Sequence, residues 1–209
     1  GLASGLVLGN LGFTHCCIED VGVLRSIPNL TIISPADSFE TLKSVEASIK
    51  HNNSCYIRIT GGPNNPIIYN ENYKFEIGKA VKLKEGKDIT IFSTGALAKD
   101  CIDVSFMLEE KKISASVINM HTIKPIDKDV ILEAATKSKM IITVEEHNII
   151  GGLSSAVSET MSSISNSCKL LSLGVKDVYT KSGSYKYLKN HYRLVPEKIL
   201  EDILKSLND

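Results

Sequence analysis

One histidine stands among turn-forming and apolar residues in Gly12-Phe13-Thr14-His15-Cys16-Cys17-Ile18-Glu19-Asp20, just ahead of an amphipathic stretch. An imidazole at a loop-to-helix junction can carry a proton or donate to a substrate oxygen, because its ordinary pKa of about 6.5 leaves either ring nitrogen usable near neutral pH. The competing reading is a surface or helix-capping residue. His15-Cys16-Cys17 also raises metal binding, yet structural zinc sites space paired ligands by about two to four residues so that both reach one ion, which these adjacent residues do not match. The five cysteines, at 16, 17, 55, 101 and 168, form an odd set without repeated spacing, the pattern of reduced thiols. Glu145-Glu146-His147 end an apolar run ahead of Gly151-Gly152-Leu153, the place where open parallel sheets take ligands. A structural or interface role is the preferred reading for these three. His121, in Met120-His121-Thr122, marks a similar strand end and is not read as catalytic.

Missing motifs narrow the chemistry. No phosphate loop occurs, the glycines at 1, 5, 9 and 12 do not spell the dinucleotide fingerprint, and Gly151-Gly152 lacks its third glycine. There is no Gly-x-Ser-x-Gly elbow and no His-Glu-x-x-His helix, so hydrolase chemistry has no support. Twenty-four basic and twenty-four acidic residues balance to a formal net charge of zero, which leaves no electrostatic footprint for nucleic acid or an anionic membrane. No apolar run approaches the roughly 20 residues of a membrane span, and no secretory signal is visible. The chain reads as cytoplasmic, with neither nucleic acid nor membrane as partner.

The elements that must position His15 and its neighbours follow from periodicity. The 209 residues, 43% of them hydrophobic, allow one large or two small domains. In a first block, strands are expected at 30–34 and 54–59, with a helix at 38–50 whose Phe39, Leu42, Val45 and Ile49 share one face. The Gly61-Gly62-Pro63-Asn64-Asn65-Pro66 run breaks regular structure, and the domain boundary is placed near Asn72. In a second block, strands at 78–83, 88–94, 115–120, 140–145 and 170–173 alternate with helices at 97–111, 128–137, 153–163 and from Pro196 onward. Cys101, Val104 and Leu108 point inward on the first of these helices, and Ile199, Leu200, Ile203 and Leu207 on the last. Such alternation predicts an α/β fold: an incomplete first α/β domain, then a complete three-layer α/β/α domain on a mostly parallel sheet.

Thr14-His15 with Ile18-Glu19-Asp20, Leu24-Arg25-Ser26-Ile27-Pro28-Asn29, and Ile33-Ser34-Pro35-Ala36-Asp37 together resemble the transketolase family of thiamine-diphosphate enzymes. The similarity resumes at Thr122-Ile123-Lys124-Pro125-Ile126-Asp127 and at Glu145-Glu146-His147 with Gly151-Gly152-Leu153. The resemblance implies the later part of a pyrimidine-binding domain over 1–72 and the family's C-terminal domain over 73–209. It implies that His15 faces the cofactor's reactive carbon and the substrate carbonyl as donor or proton shuttle, where a positioned donor lowers the barrier by several kcal/mol. Arg58, in Cys55-Tyr56-Ile57-Arg58, falls where relatives using sugar phosphates place a phosphate-contacting arginine, whose planar fork grips phosphate as a lysine cannot. The alternative for Arg58 is a surface ion pair.

Departures from the family pattern accompany the match. An acidic residue expected four positions before His15 is Leu11, a histidine expected twelve positions before it is Ala3, and Cys16-Cys17 stand where Gln-Pro or His-Ala are usual. This pattern is nearer the split, smaller transketolase-like proteins. The glutamate that activates the cofactor and the domain holding its diphosphate and Mg²⁺ have no counterpart in these residues, so the resemblance implies that thiamine diphosphate and Mg²⁺ are held mainly by regions outside the chain. Inactivity of the isolated chain is expected, with an N-terminal transketolase domain or subunit as partner in a homodimer or heterotetramer. The first block is expected to lack a core partner and to leave a sheet edge bare. The implied activity is transfer of two-carbon ketol units between sugar phosphates. The alternatives are a deoxyxylulose-phosphate synthase, a 2-oxo acid dehydrogenase beta subunit, and a non-catalytic dimerisation module.

Overall fold

The computed structural model describes residues 3–62, 64–69, 73–165 and 167–208, so the expected boundary at Asn72 and Pro63 of the glycine–proline run lie outside the described residues. A single 3-10 turn, Gly9–Leu11, and a short helix, α1 (Asp20–Leu24), flank the His15 loop. The first block continues with β1 (Thr31–Ile33), α2 (Ser38–Ile49) and β2 (Cys55–Ile57). The second block runs β3 (Val81–Lys84), β4 (Ile89–Ser93), α3 (Leu97–Glu110), β5 (Ala115–Asn119), β6 (Thr122–Lys124), α4 (Lys128–Lys137), β7 (Met140–Asn148), α5 (Leu153–Met161), β8 (Lys169–Val175), α6 (Tyr185–His191) and α7 (Pro196–Asn208).

Five strands form one sheet in the order β3-β5-β4-β7-β8. β4 runs parallel to both β5 and β7, and β7 parallel to β8, while β3 closes the edge antiparallel. Side chains that alternate across these strands feed two cores. On one face Ile89, Ile91, Val117, Ile142 and Val144 pack with Leu97, Cys101, Val104 and Leu108 of α3 and with Ile199 and Ile203 of α7. On the other, Phe92, Ile118 and Ile141 pack with Ile131 of α4 and with Leu153 and Val157 of α5. The expected three-layer α/β/α domain is thus what the chain forms. No helix among the described residues is long and apolar enough to cross a membrane.

The first block departs from expectation. Its short sheet has the order β2-β1-β6, so a strand of the second block completes it, pairing antiparallel with β1 through Ile33 and Thr122. Leu6, Cys16 and Ile18 enter the second block's core. The expected missing core partner is therefore found within this chain, and β1 is covered on both sides, with β2 and β6 at the two edges of this short sheet. The helix at 38–50 forms, but with its faces exchanged. Leu42 is 54% and Ile49 79% exposed, whereas Glu40 and Ser44 are buried.

Candidate functional site

The His15 loop is shaped by short-range backbone bonds. Gly12 N donates to Gly9 O at 2.9 Å and His15 N to Gly12 O at 3.0 Å, while Gly5 and Cys17 exchange two backbone bonds that tie down the loop's far end. Buried Cys16 and Ile18 anchor it in the core, and His15 itself is exposed. Thr14 Oγ1 lies 3.0 Å from His15 Nδ1. In the tautomer whose Nδ1 accepts from this hydroxyl, the ring proton sits on Nε2 and is available as a donor. Beside the loop opens a cleft of about 580 Å³ lined by Phe13, Thr14, Cys16, Glu19, Asn148 and Tyr179, among others. His15 is not in that lining but stands between two residues that are, Thr14 and Cys16, next to a hollow built from both blocks.

Arg58 is placed differently. It is 1% exposed, its Nε donates to Asp20 Oδ1 and Oδ2 at 3.0 and 2.9 Å, and its Nη2 donates to Cys17 O at 2.9 Å and Glu146 O at 3.0 Å. Tyr56 Oη donates to the same Asp20 carboxylate at 2.9 Å. A guanidinium so enclosed is neither the expected surface ion pair nor open to a phosphate in this conformation. It joins the His15 segment to β7.

Glu145, Glu146 and His147 lie within β7 rather than at its end. Glu145 accepts from Leu153 N at 2.6 Å and Ser154 N at 2.8 Å, the free N–H groups of the first turn of α5, where the helix dipole favours a carboxylate. Burial nonetheless raises its pKa to about 7, against the lowering effect of those two N–H groups. Glu146 accepts from Leu6 N at 2.6 Å and Tyr185 Oη at 2.7 Å. His147 donates from Nδ1 to Asn148 O at 2.6 Å. Gly22 N approaches its Nε2 at 3.4 Å. Burial first, and the Arg58 charge second, lower the His147 pKa to about 4, so the ring is neutral. The approach of Gly22 to Gly151 leaves no room for a side chain: a Cβ on Gly151, at φ +82°, would lie 2.8 Å from Gly22 Cα. These residues lock the two blocks together, the structural role preferred for them from sequence.

A second polar cluster escaped sequence reasoning. Asp37 caps α2 by accepting from Glu40 N and also takes Ile68 N and Tyr69 N. Glu40, fully buried, accepts from Ala36 N, Tyr73 Oη and Asn119 Nδ2. The only sequence signal was the Asp37-x-x-Glu40 spacing of a capping box. His121 is buried beside Phe75, at 4.3 Å between ring centroids, and burial lowers its pKa to about 4. It stays out of the cleft's lining.

The donor set does not suit thiamine diphosphate with Mg²⁺. Among the described residues no group of three or more His, Cys, Asp or Glu side chains could hold a metal ion. The buried carboxylates Glu40, Glu145 and Glu146 already accept from N–H or O–H groups within this chain. The chain brings His15 to the surface, away from these engaged carboxylates.

The transketolase pyrimidine binding domain matches residues 2–62, and the transketolase C-terminal domain residues 78–199. A protein of Methanocaldococcus jannaschii named for a transketolase C-terminal section is 36% identical over 98% of this chain and 64% of its own length. One of the subunits of an apulose-4-phosphate transketolase from Phocaeicola vulgatus is 34% identical over 98% of this chain and 65% of its own. A 1-deoxy-D-xylulose-5-phosphate synthase from Heliobacterium modesticaldum is 30% identical over 93% of this chain and 30% of its own. Among solved structures, a split-gene transketolase described as an inactive beta4 tetramer superposes with a TM-score of 0.87 at 31% identity, covering 99% of this chain and 65% of that one. The chain therefore spans a little under two thirds of the length of the first two of these relatives.

Proposed function

Since this chain belongs to the transketolase family, we propose that it is the C-terminal portion of an enzyme that moves two-carbon ketol units between sugar phosphates. In this reading it works with an N-terminal transketolase domain or subunit that holds thiamine diphosphate and Mg²⁺. The kinship to a transketolase C-terminal section and to one subunit of the apulose-4-phosphate enzyme supports that division of labour. So does the exposed imidazole of His15, with Thr14 Oγ1 at its Nδ1. The partner surface would be the rim around His15, where Leu11 and Phe13 are 58% and 54% exposed.

The observation that carries the reading is the exposed His15 with Thr14 Oγ1 at its Nδ1. Ketol transfer makes and removes negative charge on a carbonyl oxygen of the sugar, and an Nε2–H aimed at that oxygen stabilises the charge where it develops. The phosphate-gripping role expected of Arg58 requires the guanidinium to leave Asp20 when the partner docks, because both its Nε and Nη2 are engaged in the chain alone.

The test is His15→Ala in the assembled enzyme, with fructose 6-phosphate as donor and glyceraldehyde 3-phosphate as acceptor. Loss of about 10²–10³-fold in kcat with assembly intact is expected. Unchanged turnover would overturn the role of His15. A second reading, deoxyxylulose-phosphate synthesis, draws on the 30% identical synthase. Consumption of pyruvate with glyceraldehyde 3-phosphate, and no transfer from fructose 6-phosphate, would select it instead.

A further inference from the structure

Residues 177–183 of the second block fold over the 3-10 turn that leads to His15. Gly183 N donates to Gly9 O at 3.0 Å. Ser182 Oγ donates to Asn10 O at 3.2 Å and reaches Gly9 O at 3.4 Å. The rings of Phe13 and Tyr179 meet with centroids 5.2 Å apart and planes inclined by 51°. Lys181 N is held in turn by Tyr192 Oη at 2.8 Å. Beneath the turn, Leu188 of α6 sits so close that a Cβ on Gly9 would run into its side chain. From Gly9 the chain of bonds continues to Gly12 and on to His15 N.

Tyr179 is 84% exposed and Phe13 54%. A ring pair so open to water adds little core, so its presence calls for another account. Its position supplies one, because Phe13, Thr14 and Tyr179 share the cleft lining next to His15. Groups that act in catalysis must hold their geometry closely: a displacement of about 1 Å can cost about 10²-fold in rate.

We propose that Tyr179 and Ser182 are positioning residues, with which the C-terminal domain holds the 9–15 loop in the conformation that presents the exposed His15 imidazole beside the cleft. The C-terminal domain thereby takes part in the reaction by fixing its proton donor. This inference rests on the reading of His15 as donor to a substrate oxygen.

Two measurements test it. In the assembled enzyme, with the same sugar phosphates, Tyr179→Ala is expected to lower kcat by about 10-fold or more with KM little changed, and Tyr179→Phe to restore it because the ring is kept. In a His15→Ala background, Tyr179→Ala is expected to cause no further loss, since its effect passes through the imidazole. The same fold-loss in both backgrounds would overturn the proposal, as would full kcat in Tyr179→Ala. In the purified chain, amide hydrogen exchange at residues 9–15 is expected to rise at least about 10-fold in Tyr179→Ala and Ser182→Ala while β7 stays protected. Unchanged exchange would sink the clamp itself. Unchanged turnover in His15→Ala alone would instead sink the donor reading and with it the catalytic consequence, so the two failures are distinguishable.

Discussion

His121 and His147 are both neutral because burial lowers each pKa to about 4. Above the unfolded value of about 6.5 neither state binds the proton, and the stability that goes with a neutral ring is fully present. As pH falls toward 4 the unfolded chain takes up a proton that the folded chain refuses, so stability falls with pH in that window, by about 1–3 kcal/mol for each ring. Glu145 acts in the opposite sense: with its folded pKa raised to about 7, its contribution is complete below about 4.5 and is lost as pH rises through 7. His121→Gln should therefore lose least, relative to the parent, at low pH. Urea midpoints at pH 5, 6 and 7 check this; a difference that does not change with pH would contradict a neutral buried His121. At this scale the sequence singled out His15 as a candidate by its neighbours, but it held no sign that Arg58 and Tyr179 would have such different surroundings. Exposure is set by what folds over a residue, not by its own type.

The faces of α2 show the same limit at the level of an element. Periodicity correctly marked a helix, and Asp37 supplies the cap, but the apolar stripe of Leu42, Val45 and Ile49 is exposed while Glu40 is wholly buried. Three donors, from Ala36, Tyr73 and Asn119, satisfy the Glu40 carboxylate and offset the cost of its desolvation. None of them is on α2, so no pattern within the helix could reveal them. Leu42→Ala or Ile49→Ala is expected to cost less than about 1 kcal/mol, whereas Leu108→Ala, in the core beneath α3, should cost about 2–5 kcal/mol. Chemical denaturation of the three variants decides it. A cost above about 2 kcal/mol for Leu42→Ala would mean that the stripe is covered. The central strands β4, β5 and β7 were legible because each is apolar enough to be buried on both faces. Short β6 and α6, with few apolar residues, were missed.

Across the whole molecule, the two blocks are joined by charge as well as by apolar packing. Asp20→Asn would leave the Arg58 guanidinium, whose side chain is 2% exposed, without its counter-charge. The expected cost is about 3–5 kcal/mol, in a protein whose blocks unfold in one transition. Urea unfolding followed by circular dichroism and by exchange at β1 and β7 measures both quantities. A cost under about 1 kcal/mol, or separate transitions in the parent protein, would show that the network does not couple the blocks.

The sequence by itself determined the family, through the Thr14-His15 and Ile33-Ser34-Pro35-Ala36-Asp37 signatures, and the alternation of strands and helices that builds the five-stranded sheet. Both are local properties, written in neighbouring residues and in short periods. Only the tertiary structure decided that β6 completes the first sheet, that Glu40 rather than Leu42 faces inward, and that Glu145, Glu146, His147 and Arg58 form a lock between blocks. Burial of charge is tolerated only where partners converge, and here Leu6 meets Glu146 across 140 positions and Arg58 meets it across 88. Pairings at such separations are products of the completed fold.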